Sequence, residues 1–242
     1  MIQILFSPSE GKNFQSEHQE LRVLGGIEPR EEILHAYNSI IKENNLTTLA
    51  TLFGIKKEEE IIKYTQDIFN SPTTKAIKRY DGVAYDYLQY HTLDEKAQHY
   101  LDNFMLIFSN LFGVLRADDL IPVYKVKQGN AIAGIKPELY YKEKLKPLLD
   151  EHLKEKEVLD LRAGYYDKFY KVTTPYTTLK FLKNNKVVSH WAKAYRGIVA
   201  REMAKHNIQS LKELQGLEIA NLIIKEIKQI KNKTEIVYEI ID

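Results

Sequence analysis

Residues 2–8 read Ile2-Gln3-Ile4-Leu5-Phe6-Ser7-Pro8, a nearly continuous apolar run that ends at a serine and a proline. A short apolar run bounded by such a turn signal predicts a buried strand that passes into a loop. Further short runs predict strands at residues 157–161 and 186–190, and a segment rich in β-branched residues predicts one at residues 234–240. The first strand therefore opens a chain in which strands are separated by long intervening segments.

The segments between these strands carry apolar residues at three- and four-residue intervals, which is the spacing of a helix with one buried face. The clearest example spans residues 94–112, where aromatic and aliphatic side chains predict a long helix that faces the core. Further helices are predicted at residues 29–45, at residues 137–154 with an interruption at Pro147, and at residues 192–206.

The C-terminal segment fits two structures. Residues 219–230 have helical intervals, but their β-branched content favours a strand, and Asn232-Lys233 would turn the chain into the strand at residues 234–240. We predict a hairpin. Strands interleaved with helices predict one α/β (mixed α+β) domain over residues 1–242, with a central mixed sheet flanked by helices.

The composition is that of an ordinary globular protein, with 44% hydrophobic and 28% charged residues. The chain has no cysteine, which excludes disulfides, cysteine metal sites and a thiol-based redox sensor. A basic leader with an apolar core is absent from the N-terminal sequence, and no apolar run approaches the length of a membrane helix. We therefore expect a cytoplasmic protein without membrane contact.

Charge is distributed unevenly along the chain, although the net charge is only +2. Residues 1–120 hold 12 Lys/Arg and 18 Asp/Glu, whereas residues 121–190 hold 14 Lys/Arg and 8 Asp/Glu. A basic second half of this kind can form a face that binds polyanions. Lysine-rich helices are more often plain solvated surfaces, so the asymmetry is weak evidence by itself.

Four segments could bind an anion. Ser7-Pro8-Ser9-Glu10-Gly11-Lys12 follows a strand and combines free backbone amides with an ammonium group, although it lacks the pattern of a P-loop. In residues 108–125 an apolar run is followed by charged residues, where Arg116 could either pair with Asp118 and Asp119 or contact a phosphate. In residues 160–168 a strand is followed by aromatic and basic residues. Residues 190–197 place two cations at a helix start. The candidate DNA- or anion-binding residues are Lys12, Arg116, Lys125, Lys168, Lys193 and Arg196.

An enzyme would need other groups in the same place. A carboxylate at a strand end and a desolvated lysine are suitable acid–base partners, and tyrosines could assist them. The sequence has no recognisable catalytic motif, no metal-site spacing of histidines and no cofactor motif, so enzymatic activity stays open. If the protein is an enzyme, the candidate acid–base residues are Asp119, Asp160, Tyr124 and Tyr166.

Taken in order, these segments resemble the YaaA family of peroxide-stress proteins, and the resemblance covers essentially the whole chain. Ile4-Leu5-Phe6-Ser7-Pro8 resembles the family's opening strand, and Tyr80-Asp81-Gly82-Val83-Ala84-Tyr85 resembles a second family stretch. The most specific match is Leu111-Phe112-Gly113-Val114-Leu115-Arg116-Ala117-Asp118-Asp119-Leu120-Ile121-Pro122-Val123-Tyr124. Lys193-Ala194-Tyr195-Arg196-Gly197 matches a fourth block in its lysine, arginine and glycine.

The resemblance implies a family-specific α/β fold with a helix-hairpin-helix-like element and a positively charged cleft. It also implies expression under peroxide stress, protection against iron-driven damage, and binding of double-stranded or distorted DNA with little dependence on sequence. The alternative is an enzyme that acts on a small anionic, nucleotide-like substrate in the same cleft. Under either hypothesis, we expect Lys12, Arg116, Lys193 and Arg196 to lie around one concave surface.

Overall fold

The structure, a computed structural model, describes residues 1–241 except for the side chains of Ser189 and His190. Strands occur along the whole length of the described residues. They are β1 (Ile2–Phe6), β2 (Gly11–Lys12), β3 (Thr73–Lys75), β4 (Tyr80–Asp81), β5 (Met105–Ser109), β6 (Gly113–Arg116), β7 (Leu120–Pro122), β8 (Glu157–Asp160), β9 (Tyr176–Lys183), β10 (Lys186–Val187), β11 (Leu222–Ile230) and β12 (Lys233–Ile240).

Eight of these strands form one mostly parallel sheet, in the order β11-β12-β9-β8-β1-β5-β6, with β10 paired to β9. Strand β1 lies inside the sheet, parallel to β5 and β8, and all five of its residues are buried. Strands β9 and β12 extend the parallel part, whereas β6, β10 and β11 join antiparallel. The apolar run at the start of the sequence is therefore an internal strand, as a parallel sheet covered on both faces requires.

Helices flank this sheet and confirm the predicted α/β class. They are α1 (Glu31–Glu43), α2 (Leu46–Phe53), α3 (Glu58–Ile61), α4 (Ala76–Arg79), α5 (Val83–Leu88), α6 (Glu95–Phe104), α7 (Pro137–Lys144), α8 (Lys146–Leu153), α9 (Ser189–Lys205) and α10 (Leu211–Gly216). Among residues 1–241, none of these helices combines the length and apolar character needed to cross a membrane.

Several predicted elements are confirmed, and two are wrong. The strands at residues 2–6, 157–161 and 234–240 and the C-terminal hairpin are present as β1, β8, β12 and the β11–β12 pair. The predicted helix at residues 94–112 is instead α6 followed by β5, because Met105–Ser109 is an unbroken buried run that fits an internal strand. The predicted strand at residues 186–190 is only the two-residue β10, and α9 begins at Ser189.

Two further sheets have two strands each, and the first of them shapes the loop that follows β1. In the first, β2 pairs with β4, so that Gly11 lies opposite Asp81 and Lys12 opposite Tyr80. A Cβ atom on Gly11 would lie 2.6 Å from the Asp81 carbonyl oxygen, so this close approach requires glycine. In the second, β3 pairs with β7. The loop therefore leaves the central strand along a defined path and returns Lys12 to the protein interior.

Candidate anion-binding site

The loop after β1 is fixed from three sides. The Ser7 hydroxyl oxygen accepts a hydrogen bond from the Ala163 N–H (2.8 Å), which links the ends of β1 and β8. The Tyr85 hydroxyl donates to the Ser7 carbonyl oxygen (2.9 Å). Farther along, Glu10 accepts from the Gln128 N–H (3.1 Å) and lies 3.6 Å from the Lys125 ammonium. Because these contacts come from distant parts of the chain, the loop is held where the carboxyl ends of two parallel strands meet.

Two cations project from the start of α9 toward this loop. Lys193 is exposed and Arg196 is half-buried, one turn farther along the helix. Among the described residues, neither side chain forms an ion pair with a carboxylate or makes a hydrogen bond. Burial lowers the pKa of Arg196, and the charge of Asp160 opposes that shift from beyond contact distance. A half-buried guanidinium without a partner is costly, so it is a strong candidate for binding an anion.

A cavity of about 470 Å³ lies between the loop and the helix, and we call it the smaller cavity. It is lined by residues 6–10, residues 82–85, Gln128, and residues from the β8 end and α9. Among the described residues, the only acidic one in its wall is Glu10, which already faces the Lys125 ammonium, whereas Lys193 and Arg196 are both in that wall. This volume is within the usual range for small-ligand sites, and the charge of the wall favours an anion.

A larger cavity of about 1000 Å³ adjoins the smaller one, and Tyr85 lines both. Lys12 is in its wall, together with Tyr80 and the acidic residues Asp81 and Asp86. The larger cavity therefore has mixed charge and differs in chemistry from the smaller one.

Lys12 is nearly completely buried, with 6% of its surface exposed. Its Nζ atom donates to the carbonyl oxygens of Ser9 (2.6 Å) and Glu10 (3.3 Å) and lies over the rings of Tyr80 and Tyr124. Burial first, and then the nearby charge of Lys125, hold the pKa of Lys12 well below its ordinary value. Lys12 thus differs from the exposed lysines of the chain in its buried environment.

The structure brings four of the six predicted cations to this region and leaves two elsewhere. Arg116 pairs with Asp118 (Nε to Oδ1, 2.9 Å) and lines neither cavity. Its charge instead acts on His152, whose pKa is lowered to about 4 by burial and by the neighbouring cations Lys156 and Arg116. Lys168 is exposed and lies over the ring of Tyr165 (5.0 Å), outside both cavity walls. Lys12 and Lys125 lie beside the loop after β1, while Lys193 and Arg196 face it from α9.

The four predicted acid–base residues are dispersed. Asp119 is buried and accepts the backbone N–H groups of Leu24 and Arg116, and burial raises its pKa to about 6. Asp160 is also buried, and both of its carboxylate oxygens accept from the Arg162 guanidinium (2.8 and 2.7 Å). These two carboxylates are therefore engaged in structural contacts.

The two tyrosines of this set differ in where they face. The Tyr124 hydroxyl is part of a buried chain with the Tyr80 and Ser109 hydroxyls (2.8 and 2.7 Å). Tyr166 lines the smaller cavity, and burial raises its pKa. Tyr166 is thus the one member of the predicted acid–base set that is in the smaller cavity's wall. Among the described side chains, which do not include that of His190, histidine and carboxylate groups form no cluster of three or more that could hold a metal ion.

Three residues that were not among the candidate site residues shape the site. Tyr85 ties the loop to α5, and Arg162 fixes the end of β8 through Asp160. Gly197 allows α9 to approach α5 so closely that a Cβ atom there would lie 2.1 Å from the Ala84 carbonyl oxygen. Of the three, only Gly197 gave a usable signal, as a glycine inside a helical pattern next to two cations.

Comparisons with known proteins agree along most of the chain. The family model described as peroxide stress protein YaaA matches residues 2–228. The uncharacterized protein Cj0984 of Campylobacter jejuni is 47% identical, with all of both chains covered. A UPF0246 protein of Corynebacterium glutamicum is 31% identical over 92% of this chain and 94% of its own length. The range matched by the family model includes every residue that lines the smaller cavity.

Proposed function

This chain belongs to the family of the peroxide stress protein YaaA, and from that premise we propose that it acts in the peroxide stress response by binding a small anionic ligand in the smaller cavity. The observation that carries the proposal is Arg196, a half-buried cation in the cavity wall without a carboxylate partner in the described chain. A phosphate or carboxylate group would supply the missing counter-charge through charge-assisted hydrogen bonds.

Other groups of the wall favour the same class of ligand. Lys193 adds a second positive charge at the more exposed part of the wall, where it can attract an anion from solution. Ser9 and Gln128 add polar groups, and Tyr166 adds an aromatic face with a hydroxyl. A nucleotide-like ligand has both an anionic and an aromatic part, and a volume of about 470 Å³ can hold a molecule of that size.

Calorimetric titration with inorganic pyrophosphate and with a nucleoside monophosphate tests the proposal. We expect saturable binding to the wild-type protein, and a loss of about 10- to 100-fold in affinity for Arg196→Gln, because a hydrogen bond to a charged group contributes about 1.5–3 kcal/mol. Lys205→Gln is the matched control, since Lys205 is in the same helix but pairs with Glu202. Equal binding by the two variants, or no binding by the wild type, would refute the proposal.

A test in cells connects the site with peroxide. A strain that lacks the protein should be more sensitive to hydrogen peroxide, and the wild type and Lys205→Gln should restore growth equally. Arg196→Gln should fail to restore it at equal protein level if the anion site serves the stress role. Full rescue by Arg196→Gln would separate the cavity from that role.

DNA is the second candidate ligand, and one observation favours it. Trp191 is 51% exposed and is two residues from the exposed Lys193, at the start of α9 beside the smaller cavity. An exposed aromatic ring next to a cation suits stacking on an unpaired base together with a phosphate contact. Tyr195, in contrast, is buried and therefore unavailable for stacking.

A mobility-shift assay with plain and bulged duplexes tests this candidate. Sequence-tolerant binding should fall by orders of magnitude between about 50 and 200 mM salt if several phosphates are contacted, and bulged DNA should bind at least as well as plain duplex because it bends at lower cost. Trp191→Ala combined with Lys193→Glu should weaken every sequence alike, whereas Lys205→Glu should not. If the wild type causes no shift at low salt, the DNA hypothesis is wrong.

A further inference from the structure

Lys12 is nearly completely buried in the wall of the larger cavity, and the proposed anion site does not use it. Its nitrogen donates to the carbonyl oxygens of Ser9 and Glu10. Over the described residues, no carboxylate lies within ion-pair distance of it, although Lys125 and Lys75 each have such a partner. A buried lysine that faces two carbonyl oxygens and a cavity, without a counter-ion in contact, is unusual because an ammonium ion is expensive to desolvate.

The two acceptors match the neutral form of this amine. A neutral amine has two N–H groups and one lone pair, so donation to Ser9 and Glu10 uses both hydrogens and leaves the lone pair unengaged. Burial and the nearby Lys125 charge both favour loss of the third proton and lower the pKa of Lys12. Desolvation and a neighbouring cation are the two means by which proteins activate a lysine as a nucleophile.

We propose that the Lys12 amine forms an imine with a small aldehyde or ketone bound in the larger cavity. The nitrogen lone pair attacks the carbonyl carbon and forms a C–N bond as the carbonyl π bond breaks, and one N–H proton passes to the oxygen, which becomes a hydroxyl. The second N–H proton and this hydroxyl then leave together as water while the C=N bond forms, so the step is a condensation without any change of oxidation state. This inference is independent of the proposed anion site, because it concerns a different cavity and a different side chain.

The surroundings of the amine suit such an adduct. The rings of Tyr80 and Tyr124 lie 4.9 and 4.7 Å from the Lys12 nitrogen, and their faces can stabilise a protonated imine by cation–π attraction. The cavity of about 1000 Å³ leaves room for a small carbonyl compound. Asn13 and Thr74 in its wall offer hydrogen bonds to a polar substituent, so we expect a polar aldehyde or ketone.

Charged groups of both signs face the amine and the cavity. Lys125 and Arg79 lower the pKa of Lys12, and Glu10 raises it, but burial is the largest effect. The remaining charged or titratable groups lie in the cavity wall; they are Glu17, which pairs with Lys78, and Asp81, Asp86, His91 and the tyrosines Tyr80, Tyr85 and Tyr90.

Reductive trapping tests the inference directly. The full-length protein is treated near neutral pH with limiting propanal and sodium cyanoborohydride, and propylated lysines are located by peptide mass spectrometry. Each unit of pKa changes the neutral fraction of an amine tenfold, so Lys12 should be modified at least about tenfold faster than the exposed Lys193. Lys12→Arg should remove this fast phase, and Lys125→Met should slow it, because removal of the adjacent cation favours the ammonium form.

The labelling pattern of the wild-type protein by itself tests imine formation at Lys12, even if a variant folds poorly. Modification of exposed lysines while Lys12 stays unmodified, or reacts at a similar rate, overturns the inference. Binding of pyrophosphate to the Arg196 site is measured separately, so either idea can fail without the other.

Discussion

Four arginines with reduced contact to water show why residue type alone does not identify a binding site. Arg30 donates to the carbonyl oxygens of Phe112 and Val114, and Arg79 donates to those of Asn13 and Ile121. Arg162 pairs with Asp160, whereas Arg196 makes no hydrogen bond or ion pair among the described residues. The sequence predicted Arg196 as a site residue from its position at a helix start. It could not decide whether Arg116 would form an ion pair with Asp118, because that pair depends on the local turn.

The buried pair between Asp160 and Arg162 gives the first prediction. Asp160→Asn removes the counter-charge of an arginine whose side chain is 1% exposed, and the loss of stability should be about 3–5 kcal/mol, as for other broken buried pairs. Asp167→Asn is the control, because the Asp167 side chain is 63% exposed and lies 3.4 Å from the same guanidinium. Urea denaturation should show at most about 1 kcal/mol of loss for the control. Equal losses would mean that the buried pair is not a special contributor.

Asp119 gives a pH-dependent prediction. Burial raises its pKa in the folded protein to about 6 from the ordinary value of 3.8, so the native state holds a proton that the unfolded chain releases between those values. Stability from this group is present below about pH 4 and is lost as pH rises through about 6, a change of about 3 kcal/mol. In Asp119→Asn, one oxygen can still accept both N–H groups, as Oδ2 does in the wild type. The stability of the variant relative to the wild type should therefore rise across this range, and a constant difference would contradict the prediction.

At the scale of elements, the sequence predicted the strands whose apolar runs have clear ends. The prediction failed where a helix passes into a strand without such an end. Residues 94–112 keep apolar side chains at helical intervals, but the boundary between α6 and β5 falls within them, without glycine or proline. Strand β9 was missed although most of its buried residues alternate with partly exposed ones. The prediction instead placed a strand on the following Val187-Val188 pair, of which only Val187 lies in β10. These boundaries are set by pairing with distant strands, which local spacing does not record.

The contact between α5 and α9 gives a prediction about two helices. Gly197→Ala places a methyl group 2.1 Å from the Ala84 carbonyl oxygen, and a backbone atom cannot move aside as a flexible side chain can. Overpacking should cost about 1–3 kcal/mol, which exceeds the gain of up to about 1 kcal/mol from better helix propensity. Gly216→Ala, where nothing lies within 4 Å, is the control and should be neutral or stabilising. Thermal unfolding of the two variants checks this, and equal melting temperatures would contradict the close approach.

For the whole molecule, the acidic first half and the basic second half of the sequence are joined in one sheet. Strand β1 pairs with β8, and the Ser7 hydroxyl accepts from the Ala163 N–H, so the halves share the central strands and the smaller cavity. We therefore predict one cooperative unfolding transition. The fluorescence of Trp191, the single tryptophan, and far-UV circular dichroism should give the same denaturation midpoint. Two separate midpoints, or stable halves after limited proteolysis, would contradict a single domain.

The same topology explains which parts of the site the sequence could predict. Lys12, Lys193 and Arg196 were chosen from local patterns, and the fold brings the last two to one cavity and the first to the adjoining one. The wall of the smaller cavity also includes Tyr85 and Ala163, which come from other segments and are fixed to Ser7 by hydrogen bonds. No local spacing relates those residues to α9, so this part of the wall was not predictable.

The central claim, that the smaller cavity binds a small anion through Arg196, is tested most directly by nuclear magnetic resonance during a titration with pyrophosphate. The account predicts saturable shifts of the Arg196 side-chain Nε–H signal and of the backbone amides of Ser9, Gly82 and Ala163, which line that cavity. The backbone shifts should disappear in Arg196→Gln and persist in Lys205→Gln. Shifts that are spread over exposed lysines such as Lys168, or that are absent from these cavity residues at saturation, would contradict it.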